Sequence, residues 1–271
     1  INNATVNLSA NGGLTVEASG ATTVTLGSGV LVQGAGGIGG QALFGGPTTL
    51  INQGILRGNV SGQTLTIGTA NLTLTNAVGG TIEAVGGAAV VISTGALTNA
   101  GTINAGTGST LNLNATNLTN TGTVNVLTAT STLNLGGTTT TAGLAGFSNT
   151  AGGTFNLTGT LTNTADTLTL GGHLGTITLV GGTINGGIVQ EATPNLLRFS
   201  TNSNNTLNGV EFHGDLNLNN GSTNRVLITG LTLKNEANTG NGTMNVANNG
   251  QIGFRGTQTF DNATINLATG A

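Results

Sequence analysis

Apolar residues in this chain fall in short alternating runs, among them Val24-Thr-Leu26, Leu65-Thr-Ile67, Leu111-Asn-Leu113, Leu133-Asn-Leu135, Leu168-Thr-Leu170 and Leu216-Asn-Leu218. Each run is bounded by Gly or Asn. Alternation over a few residues places one side of the backbone in a core and the other in water, which is the pattern of a half-buried strand. No window holds the i, i+3, i+4 spacing of an amphipathic helix, so many short strands and little or no helix are expected.

The strands come in repeated phrases. Leu97–Ala105 reads LTNAGTINA, and Leu118–Val126 reads LTNTGTVNV, 21 residues later. Looser copies stand at Leu74–Ala84 and Phe147–Leu157. Further on, Gly209–Asp215 aligns with Gly230–Glu236, and Thr243 with Thr264, again at 21 residues. Hairpin-linked sandwiches do not repeat whole phrases in this way, whereas a parallel β-helix stacks each coil on the last at about 4.8 Å. The expected fold is all-β, a single continuous β-solenoid over residues 1–271 with about 21 residues per coil and roughly 13 coils.

Within the phrase, alternation sends Leu97 and Ile103 inward and Thr98 and Thr102 outward. Asn99 and Gly101 mark the corner between them, as Asn120 and Gly122 do one coil later. Asn and Gly tolerate positive φ, and a stacked Asn side chain can bond the backbone of its neighbours, so an Asn ladder is expected at this corner. Two stretches break the rhythm and are expected as lateral loops: residues 34–47, and residues 190–206, which contain Pro194.

Composition narrows the field. Charged residues make up only 5% of the chain against about a quarter in ordinary globular proteins, yet 36% are hydrophobic, so the chain can bury a core. The five basic residues are scattered, which argues against a nucleic-acid partner. No apolar run approaches the length of a membrane span. With no Cys there is neither a disulfide framework nor a thiolate metal site. The chain starts at Ile1 without a basic leader, and is read as a fragment or mature unit of a longer protein.

Candidate chemistry is sparse. Gly34, Gly36 and Gly39 satisfy the spacing of a dinucleotide loop, but no helix follows and the next acid is Glu83. No cofactor is expected. Glu211, His213 and Asp215, at spacing two, are the densest ionisable cluster. They are expected on one outer strand face, with Val210 and Phe212 inward, His213 over Lys234 and Asp215 over Glu236: a solvated charge ladder rather than a metal or acid–base site. Glu17 and Glu83 are expected at exposed strand positions. Thr-x-Thr motifs start at Thr64, Thr73, Thr160, Thr167 and Thr176, separated by 9, 87, 7 and 9 residues. That spacing does not give the one-per-coil array an ice-binding face needs.

The Leu/Phe–Thr/Ser–Asn–x–Gly phrases, together with Gly, Thr and Asn dominance, resemble the β-helical passengers of bacterial autotransporters and filamentous-haemagglutinin-like adhesins. The resemblance implies a secreted, right-handed parallel β-helix at the cell surface with an adhesive or scaffolding role. No catalytic motif of such proteins is matched, and no enzyme is expected. The expected function is a structural part of a surface fibre or adhesin stalk, assembling end to end. The alternative is an adhesin module that grips a carbohydrate or host surface through 190–206 or 34–47.

Overall fold

The strands form where the alternation places them. In a computed structural model, whose described residues are 1–17, 19–41 and 43–268, the chain is a parallel β-solenoid of about 11 turns spaced about 23 residues apart, with 2% helix. Ala42, inside the expected loop 34–47, and Thr269–Ala271 lie outside the described residues. The chain divides into two compact units, Ile1–Thr139 with Gly143–Thr154, and Thr140–Ala142 with Phe155–Ala271.

In the first unit three parallel sheets line the coil. One runs through Asn3–Leu8, Gly29–Gly34, Ile55–Gly58, Thr81–Ala84, Thr102–Ala105, Thr123–Val126 and Phe147–Ser148. The second includes Thr64–Ile67, Ala89–Ile92, Thr110–Leu113 and Thr132–Leu135, and the third Thr22–Leu26, Thr48–Asn52, Leu72–Asn76, Ala96–Asn99 and Asn117–Asn120. Register is strict. Leu65, Val90, Leu111 and Leu133 stack in one column, and Leu56, Ile82, Ile103 and Val124 in another, all buried. Each such side chain contributes about 1.5–3 kcal/mol by leaving water. The 3-10 turn Ala142–Gly146 precedes the last strand of the first sheet.

The second unit keeps the plan of parallel sheets. One holds Thr167–Leu170, Ile188–Glu191, Glu211–His213 and Thr232–Lys234; another includes Thr160–Thr162, Thr183–Asn185, Thr206–Asn208, Arg225–Thr229 and Gln251–Phe254. A third stacks Asp215–Leu218, Gly242–Val246 and Ala263–Leu267. The segment 190–206, expected as a lateral loop, instead supplies the strand Leu197–Phe199, whose Leu197 and Phe199 are buried. In 34–47 the strand Gly36–Ile38 belongs to a coil.

The period varies because the strands hold register while the turns between them absorb insertions. Asn99 and Asn120 are 21 residues apart, Arg57 and Glu83 are 26, and Asn217 and Asn245 are 28. This lengthens the mean coil to about 23 residues and reduces the count from 13 to about 11. It also lines up threonines that linear spacing separates. Thr23, Thr49 and Thr73 form one outward file, and Thr75, Thr98 and Thr119 another, on the third sheet of the first unit.

The glycines of the dinucleotide-like spacing serve stacking. A Cβ at Gly34 would stand 2.1 Å from the Leu8 carbonyl oxygen, and one at Gly36 2.3 Å from that of Gly12. Both adopt strongly positive φ, 121° and 102°. They allow the backbone of one coil to touch the next.

Candidate functional site

The corner of the repeated phrase is the most ordered polar arrangement in the first unit. Asn99 ends its strand and is fully buried, because alternation turns it inward after Leu97. Its Nδ2 donates to Asn120 Oδ1 at 2.7 Å and to the Thr123 carbonyl at 3.2 Å. Its Oδ1 accepts from Asn76 Nδ2 at 2.8 Å. Asn76 Oδ1 in turn accepts from Asn52 Nδ2 at 2.8 Å, and Asn120 Nδ2 donates to the Gly143 carbonyl at 3.0 Å. The expected pair Asn99 and Asn120 is thus the end of a four-residue ladder. Asn52 could have been found in the sequence, since Leu50–Leu56 reads LINQGIL, the same phrase with Ile in place of Thr.

Gly101 and Gly122 sit at this corner for a different reason than expected. Neither has positive φ. A Cβ at Gly101 would lie 2.3 Å from the Gly80 carbonyl oxygen, and one at Gly122 2.1 Å from that of Gly101. The glycines provide room, not an unusual backbone conformation. In the second unit the buried corner asparagines bond main chain instead of one another: Asn163 Nδ2 donates to the carbonyls of Gly186 and Ile188, and Asn205 Nδ2 to that of Arg225.

The ionisable cluster is rearranged. Val210 and Phe212 are buried as expected, and His213 pairs with Lys234 in register. His213, however, is only 7% exposed, and its Nε2 lies 2.6 Å from Glu211 Oε1. Asp215 faces Thr243 and not Glu236. Gly214, at φ 121°, redirects the chain directly after His213 and puts Asp215 on another sheet. Residues 235–241 then leave the coil, held by Asn235 Oδ1 accepting the N–H of Thr239 at 2.9 Å, and carry Glu236 out of register. The solvated ladder is therefore replaced by a contact between buried His213 and partly exposed Glu211, and by a separate pocket. Among the described residues no three His, Cys, Asp or Glu side chains come together as metal ligands.

That pocket, about 140 Å³, is lined by Glu191, Pro194, Asp215, Asn235, Glu236 and Thr243. Glu191 was not singled out by its sequence; its signal would have been the only acid in 190–206. Its carboxylate accepts the N–H of Leu197 at 2.5 Å and of Asn195 at 3.0 Å, and so shapes the turn around Pro194. Burial raises its pKa above the usual carboxylate value; the backbone donors pull it down, and the negative charge of Asp215 adds to the rise. A carboxyl whose folded pKa exceeds its unfolded value contributes stability that is complete below the unfolded pKa and is lost as pH rises through the folded one. Thermal melts from pH 4 to 7 should therefore fall less steeply in Glu191→Gln than in the parent chain.

Glu83 and Glu17 also differ from expectation. Glu83 is half-buried and takes an ion pair from Arg57, Nε to Oε1 at 2.6 Å, with the two in register on adjacent strands. Glu17 stands outside the strands and accepts the N–H groups of Leu43 and Phe44 at 3.2 and 3.0 Å. No helix among the described residues is long and apolar enough to cross a membrane. Comparison with protein-family models, with curated proteins and with solved structures returns no match.

Proposed function

We propose that the protein is an extracellular structural β-solenoid, part of a bacterial surface fibre or adhesin stalk, whose coils supply length and whose copies associate end to end. The observation that supports this reading is the ladder Asn52–Asn76–Asn99–Asn120, in which each coil offers the next the same side-chain donor and acceptor it received. Backbone pairing and stacked Leu and Ile columns repeat with it. A coil is then extended by repeating one phrase, and no residue of the phrase is reserved for chemistry.

Immunogold labelling of intact, unpermeabilised cells of the native source tests the location. Gold along fibres outside the cell is the expected result, and label that requires permeabilisation would overturn it. Sedimentation velocity of the purified chain tests the assembly. The weight-average mass should climb with concentration, and a constant monomer mass up to the highest soluble concentration would remove end-to-end association.

A further inference from the structure

One outer face of the second unit has a chemistry that length-building does not require. On the sheet of Thr183–Asn185, Thr206–Asn208, Arg225–Thr229 and Gln251–Phe254, the register aligns Asn185 with Asn208 and Asn208 with Thr229. Arg255 follows Phe254, which pairs with Ile228, and its N–H donates to the Ile228 carbonyl at 2.9 Å. Two amides, a hydroxyl and a guanidinium thus succeed one another along the solenoid, one per coil at about 4.8 Å. They border an open groove of about 360 Å³.

Arg255 is exposed, and its backbone is fixed. Gln258 Nε2 donates to the carbonyls of Arg255 and Ile228 at 3.0 and 2.9 Å, while Gln258 Oε1 accepts the Gly230 N–H at 2.8 Å. Among the described residues no carboxylate lines this groove. Arg57 is different, since Glu83 neutralises it.

We infer that this face binds a carboxylated polysaccharide, laid along the solenoid, with Arg255 receiving a carboxylate and Asn185, Asn208 and Thr229 bonding sugar hydroxyls. The coil spacing is of the order of one pyranose residue, so successive sugars meet successive coils. A guanidinium fits a carboxylate through two parallel N–H donors, and exposed Arg255 can offer them to the groove. The inference adds a ligand to the stalk reading and stands on other residues.

The purified 271-residue chain should bind immobilised polygalacturonate and release with rising salt, as an exposed charge contact must. Arg255→Gln should weaken binding about tenfold, the loss expected for one charge-assisted pair. Arg198→Gln, on a different sheet, should bind as the parent does, and unchanged melting would show that each variant is folded. Absence of retention at low salt would overturn the inference. So would equal binding to neutral galactan, binding to heparin alone, or an Arg198→Gln loss as large as that of Arg255→Gln. None of these outcomes bears on immunogold labelling or sedimentation, so the stalk reading succeeds or fails separately.

Discussion

Alanine at Gly122 should lower the unfolding free energy by about 3 kcal/mol or more, and the melting temperature by roughly 10 °C. The added methyl would stand 2.1 Å from the Gly101 carbonyl oxygen and 2.7 Å from the Ala100 carbonyl carbon. Both are backbone atoms of the neighbouring coil, and neither can rotate away. That carbonyl already accepts the Thr123 N–H at 2.9 Å, and the Gly122 N–H is bound to the Asn99 carbonyl at 3.0 Å. Relief therefore requires the two coils to separate at the corner, with loss of these bonds. The same substitution at Gly37, where nothing lies within 4 Å and φ is not positive, should change stability by less than about 0.5 kcal/mol. Urea unfolding of the two variants gives the comparison. Equal midpoints would mean that the corner glycines are not needed for space.

The Gly122 column also shows what the sequence could and could not reveal. Its position at a corner was legible, because Gly follows Asn two residues later in the tight copies of the phrase and three residues later in the looser ones. Its cause was not: room and positive φ both call for glycine, and only the distance to the next coil separates them. Strand identity and inward faces were legible for the same local reason, since alternation is a property of neighbouring residues. Contacts between coils were legible only where the period held. Asn99 and Asn120, 21 apart, follow the period of the phrase, whereas Arg57 and Glu83, 26 apart, share no phrase that would mark them as neighbours. The Glu211–Asp215 cluster failed at Gly214, a single backbone turn that moves Asp215 to another sheet. A face composed of Asn185, Asn208, Thr229 and Arg255 has no sequence signature at all, because its members come from four coils of unequal length.

Asn99→Ala should cost about 3–4 kcal/mol, combining a buried cavity with an orphaned acceptor. Asn120 Oδ1 would lose the 2.7 Å bond from Asn99 Nδ2, and Asn76 Nδ2 would keep only its longer bonds to the carbonyls of Gly80 and Thr102, at 3.3 and 3.2 Å. The ladder is directional, so Asn99→Asp is the sharper probe. An aspartate keeps the acceptor that Asn76 needs but has no N–H for Asn120 Oδ1 or the Thr123 carbonyl, and sets its charge against both in a fully buried site. Protonation supplies one donor and removes the charge, so the folded pKa of this carboxyl should lie above its unfolded value. Stability of Asn99→Asp should then be greatest below the unfolded pKa and decline as pH rises through the folded one, a slope absent from Asn99→Ala. Asn104, half-exposed and accepting from Asn125 Nδ2 at 2.9 Å, has the same side-chain contact with water at hand. Asn104→Ala should cost under about 1 kcal/mol. Similar losses at Asn99 and Asn104 in denaturant midpoints would mean that burial does not set the worth of the ladder, and that stacked backbone alone holds the coils.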